Sequence, residues 1–221
     1  MNAKIKNVPR PCLLLIIATL LVTAAIGQNR DGIIYAQQEN LSSNIPLTDV
    51  MGISEYFNNP ENLEVAGSAP FYYKTIEGDF VASVLVEPDF SDLWNAGALM
   101  VHIDSARWIK FAFENSDATG KSIVSVVTQG ASDDANGVVL NGFEKIWLRV
   151  VRIDNNYSMH WSTDGSNYTM TRLTHIPFDG AVKVGMEAQC PAGGVATHRF
   201  HHFSIESKTV ENLREGTLYS Q

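Results

Sequence analysis

The sequence predicts an all-β sandwich. Three observations support this class. Apolar and polar residues alternate with a period of two through much of the 221-residue chain, which is typical of strands that present one face to a core. These runs recur about every ten residues and are separated by turns rich in Gly, Asn and Asp. No sustained helical periodicity interrupts them, which argues against a βαβ protein.

Residues 1–36 are predicted to be a signal peptide. Lys4, Lys6 and Arg10 precede the apolar run 12–26, and a charged region followed by a short apolar region is typical of secretory signals. The run is shorter than the roughly 20 apolar residues that cross a membrane. We therefore predict a secreted or cell-surface protein with no membrane span in its mature chain. An uncleaved N-terminal anchor is the alternative.

The mature chain is expected to contain one domain. Residues 37–54 are polar and lack a sustained period, so they are read as a linker or an irregular first strand. The strand pattern occupies 55–207, the predicted sandwich. Residues 208–221 form a C-terminal tail, in which Thr209 to Leu218 has the composition of a short helix. Only Cys190 remains after removal of the leader, so no internal disulfide is expected.

The strands follow one another in the order that the alternation gives. In the first, Phe80 to Val86, both faces are apolar, which indicates a central strand. The remaining strands are predicted at Ala96–Asp104, Trp108–Glu114, Ser122–Gln129, Lys145–Ile153, Tyr157–Ser162, Thr169–Leu173, Ala181–Ala188 and Thr197–Glu206.

Two of the predicted turns have further consequences. Asp164-Gly165 lies between two alternating runs, which favours a β-hairpin with a type I′ turn. Asp133, Asp134 and Asn136 supply oxygen atoms in a predicted loop, and such a loop suits calcium. An ordinary Asp/Asn/Gly turn explains the same residues. Calcium is thus a possible ligand, and no other cofactor is predicted.

The charge balance narrows the possible partners. The chain has 16 basic and 24 acidic residues, for a net charge of -8, and the leader removes mostly basic residues. Nucleic acid is therefore not expected as a partner. The sequence also lacks the phosphate-binding loop of nucleotide-binding proteins and the nucleophile elbow of α/β hydrolases. It does not determine the oligomeric state.

Several stretches of the chain together resemble a known family. They are Asn95–Asp104, Trp108–Glu114, Trp147–Arg152, Tyr157–Tyr168, Val182–Pro191 and Phe200–Ile205. In order and spacing they resemble a bacterial and archaeal family of domains of unknown function in the concanavalin A-like lectin/glucanase superfamily, sometimes described as regulators of enolase. The resemblance implies a jelly roll of two antiparallel sheets, one of them curved, with a concave face that relatives use for sugars. It implies no reaction. The chain departs from the family pattern at 69–73, where an Asp-Phe-Trp segment is usual.

A ligand-binding patch is predicted from the faces of the strands. The alternation puts polar side chains opposite the core-facing ones. If the polar faces belong to one sheet, they gather His102, Trp108, Lys110, Glu114, Arg149, His160, Glu187 and Gln189. An indole ring can stack on a sugar, while charged and amide groups bind its hydroxyls. The alternative is an ordinary solvated sheet face.

Catalysis has weaker support than binding. Glycoside hydrolysis generally needs two carboxyl groups, and Glu114 and Glu187 are the weak candidates. The paired acids that the sugar-cleaving branches of the superfamily carry on one strand are absent from the sequence. We therefore predict an exported non-catalytic binding module for a glycan or another extracellular ligand. The alternatives are a glycan-active enzyme that uses Glu114 and Glu187, and a cell-surface structural or protein-interaction module.

Three histidines near the C-terminus raise the possibility of a transition-metal site. His201 and His202 are adjacent, so they point to opposite faces of a regular strand and cannot share an ion with His198 unless the strand bulges. A bulge is predicted here, because Phe200 and Phe203 would otherwise lie on opposite faces. These histidines alone do not lead us to predict a transition-metal site.

Overall fold

The computed structural model describes residues 54–208 and 210–216 with their side chains, and the backbone of strands at 25–28, 34–37, 44–51 and 217–218. Much of the predicted signal peptide lies outside the described residues, so export stays a prediction. Among the residues that are described, no helix is long and apolar enough to cross a membrane.

The secondary structure of the described residues is β throughout, which confirms the predicted fold class. The strands are β1 (Ala25–Gln28), β2 (Ile34–Gln37), β3 (Asn44–Met51), β4 (Tyr56–Asn58), β5 (Val65–Gly67), β6 (Phe71–Ile76), β7 (Phe80–Glu87), β8 (Ala96–Asp104), β9 (Arg107–Ser116), β10 (Gly120–Gln129), β11 (Ala131–Val139), β12 (Ile146–Ile153), β13 (Asn156–Ser162), β14 (Thr169–His175), β15 (Val182–Gln189), β16 (Val195–Glu206), β17 (Val210–Asn212) and β18 (Thr217–Leu218).

Two six-stranded antiparallel sheets form the sandwich. The first sheet has the strand order β11-β10-β9-β8-β15-β6, and the second has the order β14-β13-β12-β7-β16-β3. The late strands β15 and β16 lie beside the early strands β6 and β7, so the chain crosses between the sheets as a jelly roll does. Three short ribbons, β1–β2, β4–β5 and β17–β18, lie outside these sheets.

The core between the sheets confirms the predicted faces of the strands. Ile109, Phe111 and Phe113 of β9 are fully buried there, as are Leu148 and Val150 of β12. Each large apolar side chain that is withdrawn from water stabilises the fold by about 1.5–3 kcal/mol. The period-two pattern thus identified which side of each strand meets the core.

The predicted turn at Asp133 to Gly137 is wrong, because these residues belong to β11. The strand pairs with β10, for example Asp134 with Val126, and lies at the edge of the first sheet. Most of β11 is exposed. An edge strand of this kind needs few apolar residues, since its stability comes from backbone pairing, and charged residues there discourage association with other edges.

The predicted helix at Thr209 to Leu218 is also wrong. The segment holds the ribbon β17–β18, in which Val210 packs with Val81 and Val151 on the outer side of the second sheet. Gly216 turns the chain with a φ of 61°. The sheet offers Val210 a buried place that an isolated short helix would lack, since such helices are marginal in water.

The predicted hairpin between β13 and β14 is confirmed, but its turn type is wrong. The loop spans 163–168, so it is longer than a two-residue type I′ turn. Gly165 has a φ of 75°, whereas Asp164 is not among the residues with positive φ. The two-residue connection lies instead between β12 and β13, where Asp154 has a φ of 52°.

The predicted bulge in β16 is confirmed. Its register with β7 shifts between His201 and Ser204, and His202 has a φ of 54°. The shift allows both Phe200 and Phe203 to enter the core. Packing of two aromatic rings offsets the irregular backbone.

Candidate functional site

The outer face of the first sheet is the side turned away from the core, and it collects most of the predicted site residues. The strand register puts Gln189, Ala96 and Glu114 in one row across β15, β8 and β9, and Glu187 beside Ala98 in the next. The alanines are fully buried and small. They leave room above the sheet for the long polar side chains on either side.

One amide links the polar groups of this face. Lys110 Nζ donates to Gln189 Oε1 at 2.7 Å and to the Tyr56 carbonyl at 3.0 Å. Gln189 Nε2 donates to the Trp94 carbonyl at 2.8 Å and to Glu114 Oε2 at 3.3 Å. Because one side chain both accepts and donates, Gln189 fixes the positions of a cation, a carboxyl group and a loop.

The β4–β5 ribbon covers part of the outer face. Tyr56 packs edge-on against Trp108 with ring centroids 6.0 Å apart, and it also contacts Phe71 and His102. Trp108 is only 1% exposed. The predicted stacking of a sugar on Trp108 is therefore blocked, and His102 lies under the same tyrosine.

Hydrogen bonds hold the ribbon in place at both ends. The backbone N–H of Asn58 donates to Ser132 Oγ at 2.8 Å, and Asn58 Nδ2 donates to the Gly130 carbonyl at 2.9 Å. Ser54 exchanges backbone hydrogen bonds with Cys190. Cys190 is fully buried, which fits a structural thiol better than a nucleophile.

A pocket of about 430 Å³ opens on the outer face beside the ribbon, and we call it the ribbon pocket. Its lining is Glu55, Phe57, Asn59, Trp94, Lys110, Glu114, Val126, Asp134, Gln189 and Pro191. Of the predicted patch, Lys110, Glu114 and Gln189 line it. The sequence analysis missed the ribbon residues and Trp94.

Trp94 stands at the rim of the ribbon pocket with 40% of its surface exposed. Its φ of 62° is unusual for a bulky residue, and such a conformation costs on the order of 1–3 kcal/mol. Its N–H donates to the Asn115 carbonyl at 2.8 Å, and its own carbonyl accepts from Gln189. These bonds hold the backbone of Trp94 in place at the rim of the pocket. Trp94 lies in a loop outside the alternating strands. The strand pattern therefore could not identify it as a site residue, and only its position in a loop could have done so.

Burial changes the acidity of the two candidate catalytic glutamates. It raises the pKa of Glu114 to about 7 and the pKa of Glu187 to about 8, although Lys110 opposes both shifts. Glu187 is fully buried, and neither of its carboxyl oxygens has a hydrogen-bond partner among the described residues. Glu187 is also not part of the pocket lining. At neutral pH its carboxyl is therefore mainly protonated.

Arg149 and His160 are corrections to the predicted patch. They belong to β12 and β13 of the second sheet, on its outer face, and not to the first sheet. The guanidinium of Arg149 lies 3.6 Å from the centre of the Tyr168 ring and donates to Ser83 Oγ. His160 is fully buried, and this burial lowers its pKa to about 4. The alternation of apolar and polar residues shows on which face of a strand a side chain lies, but it does not show to which sheet the strand belongs.

The calcium candidates do not converge. Asp133 pairs with Arg172 at 2.6 Å, whereas Asp134 lines the ribbon pocket. The two are adjacent on a strand, so their side chains lie on opposite faces. Asn136 Oδ1 accepts a hydrogen bond from Ser116 Oγ at 3.1 Å. The loop that calcium would need is a strand.

The C-terminal histidines are separated as well. His198 is fully buried and its Nδ1 accepts from the Asp89 N–H at 3.2 Å. His201 Nε2 lies 3.0 Å from Glu87 Oε2, and His202 stacks on Trp147. Within the described part of the chain, no group of three or more His, Cys, Asp and Glu side chains is arranged to hold a metal ion.

Residues 45–208 match the family described as "Protein of unknown function (DUF1349)". The chain belongs to this family. A search of curated proteins finds no match. The match agrees with the family of unknown function that the resemblance implied, and the two antiparallel sheets confirm the jelly-roll fold.

Solved structures share the fold of this family member. A functionally unknown protein from Saccharomyces cerevisiae is 24% identical, with a TM-score of 0.70 over 74% of this chain and 88% of that chain. A xylan beta-1,4-xylosidase from Bacillus halodurans C-125 is 13% identical, with a TM-score of 0.59 over 72% of this chain and 32% of that one. At identities this low, the structural similarity shows no more than a common fold. The expected bacterial or archaeal character of the family stays a prediction.

Proposed function

We propose that the chain is an exported, non-catalytic binding module that holds a glycan in the ribbon pocket. The observation that carries the proposal is Trp94, an indole that is 40% exposed at the rim of a pocket lined with hydrogen-bonding side chains. An indole face packs against the apolar face of a sugar ring.

The rest of the pocket supports the same proposal. Asn59 lines it together with the carboxyl groups of Glu55, Glu114 and Asp134, so a sugar hydroxyl would meet both donors and acceptors. Its volume of about 430 Å³ falls within the roughly 300–1,000 Å³ of small-ligand sites. Export is supported by the predicted signal peptide in residues 1–36 and is part of the proposal.

A glycan-active enzyme is the second candidate. The pKa of Glu114, about 7, is suited to a general acid. Hydrolysis would need a second carboxyl group across the same glycosidic bond, and Glu187 does not line the pocket. We therefore prefer a non-catalytic binding module to an enzyme that uses Glu114 and Glu187.

A glycan array probed with the full chain tests binding, and calorimetry on its best ligands measures affinity. We expect Trp94→Ala to weaken binding about 5- to 150-fold, since stacking on an aromatic side chain contributes about 1–3 kcal/mol where nucleobases bind in this way. Trp147→Ala, on the second sheet, is the matched control and should bind normally. Equal loss in both variants, or no glycan ligand at all, would contradict the proposal.

Incubation with polysaccharides tests the catalytic alternative. We expect no product release. Release that Glu114→Gln abolishes, while circular dichroism shows an unchanged fold, would overturn the non-catalytic part of the proposal. Retention of a protein partner without any glycan ligand would favour the third alternative, a protein-interaction module. Fractionation of cells that express the full chain tests export.

A further inference from the structure

The ribbon pocket carries more acidic than basic groups. Glu55, Glu114 and Asp134 line it, and Lys110 is the one basic residue in its lining. The acids act on one another: Asp134 and Glu55 both contribute to the raised pKa of Glu114. The interior of the pocket is therefore negative, and a ligand that brings positive charge would relieve this repulsion.

Lys110 does not offset the negative charge that a ligand would meet in the pocket. It is only 4% exposed, and its ammonium group donates to the Tyr56 carbonyl and to Gln189 Oε1. Its charge also acts on the buried Glu187 beneath the ribbon. The ammonium is thus committed to the protein, whereas Glu55 and Asp134 remain partly open to the pocket.

Glu114 gives a separate indication of a ligand. Only 7% of it is exposed, yet it lines the pocket. Its Oε2 accepts a hydrogen bond from Gln189, and no donor to Oε1 occurs among the described residues. Oε1 is thus available to a ligand in the pocket, and a carboxyl group with so little exposure gains from a second donor. A ligand N–H that carries positive charge would supply both the donor and the opposing charge.

The aromatic walls suit the same ligand chemistry. Trp94 and Phe57 line the pocket along with the carboxyl groups. The face of an aromatic ring attracts a cation as well as an apolar sugar face. An amino sugar presents both features in one ring, whereas a neutral sugar presents only the second.

We infer that the ribbon pocket prefers glycans that carry a protonated primary amine over their neutral counterparts. Carboxyl groups and aromatic rings around one cavity carry this inference, which rests on the proposed function. Glucosamine oligomers represent the preferred class, and their N-acetylated forms represent the neutral one. The two probes share a ring and differ in one charged group.

Calorimetry with the full chain near neutral pH tests the inference. We expect the glucosamine oligomer to bind about tenfold more tightly than its N-acetylated form, as one favourable charge pair in a partly buried site would give. The difference should shrink as salt is raised, because salt screens exposed charges. Equal affinities, or tighter binding of the acetylated oligomer, would overturn the amine preference and leave glycan binding intact.

Charge-removing variants locate the effect. Asp134→Asn and Glu55→Gln should each weaken binding of the amino oligomer severalfold without changing the affinity for the neutral one. Glu61→Gln is the matched control, because Glu61 is an exposed acid in the turn between β4 and β5 that does not line the pocket. Equal effects of all three variants would contradict a local carboxyl contact. Failure of both oligomers to bind would overturn the inference, and the glycan array would then decide the proposed function separately.

Discussion

The two outer faces of the sandwich are built alike but bury ionisable groups of opposite type, carboxyl groups on the first and basic groups on the second. Each is covered by a two-stranded ribbon: β4–β5 lies over the first sheet and β17–β18 over the second. The carboxyl groups of Glu114 and Glu187 belong to the first face, whereas the second ribbon lies over Arg149 and His160. Among the described residues, the first face also has Trp94, an indole that is 40% exposed, at the rim of its pocket.

The comparison shows that burial disfavours the charged form of a group, whether that form is an anion or a cation. On the first face it raises the pKa of the two glutamates, and on the second it lowers the pKa of His160. The groups on both faces are therefore driven toward neutrality. The stability of the two faces should respond to pH in opposite directions.

Removing the aromatic cover of the first face should have the largest effect. Tyr56→Ala opens a cavity over Trp108 and should lower the free energy of unfolding by about 3–5 kcal/mol. Val210→Ala on the other ribbon removes less apolar surface and should cost about 2 kcal/mol. Urea denaturation of both variants measures the difference. A cost for Tyr56→Ala no larger than that for Val210→Ala would show that the first ribbon is not held by this packing.

Neutralising Glu187 should stabilise the protein at alkaline pH. Its pKa is raised from 4.5 to about 8 in the fold, so the folded state binds more protons than the unfolded state between those values, and stability falls as pH rises through them. Glu187→Gln should remove this loss, which reaches up to about 1.4 kcal/mol for each pH unit between those values. Denaturation midpoints across pH measure it, with Glu61→Gln as the charge-matched control. A pH dependence that Glu187→Gln leaves unchanged would contradict the assignment.

The stability of the second face should depend on pH in the acidic range. The pKa of His160 is lowered from 6.5 to about 4, so the unfolded state binds more protons between those values, and stability falls as pH drops through them. His160→Asn should reduce this acid-induced loss, to which His160 contributes up to about 1.4 kcal/mol for each pH unit between those values. His198 has a similarly lowered pKa and should account for part of the loss that remains. An acid-induced loss of the same size in the variant would argue against a buried neutral His160.

The smallest effect is expected at the edge of the first sheet. Asp133 is exposed and pairs with Arg172, and such surface pairs contribute about 0–1 kcal/mol. Asp133→Asn should therefore change stability by less than about 0.5 kcal/mol. Calcium should not raise the melting temperature of either protein, because the oxygens of Asp133 and Asp134 diverge. A calcium-dependent rise that Asp133→Asn abolishes would restore the calcium hypothesis.

The sequence was sufficient for the sandwich and for the faces of its strands. Burial of alternate residues dictates the period-two pattern, so Phe111 and Leu148 could be assigned to the core, and Lys110 and Glu114 to the opposite side. The bulge near His202 followed from the spacing of the two phenylalanines. These features depend on local spacing alone.

The sequence was insufficient where distant segments meet. Which sheet holds Arg149 depends on how strands pair, and strand pairing is a long-range property. Tyr56 covers Trp108 from a segment of three residues whose pattern is too short to interpret. β11 is stabilised by pairing with β10, so its polar residues resembled a turn. The pocket needs all of these together with the rim position of Trp94.

The most direct test of the binding site follows the four indole N–H resonances by NMR while a glycan from the array is added. We expect the Trp94 resonance to shift in proportion to the bound fraction, while those of the buried Trp108 and of Trp147 on the second sheet stay in place. A shift of Trp147 with Trp94 unmoved would place the ligand on the other face and contradict the ribbon pocket as the binding site.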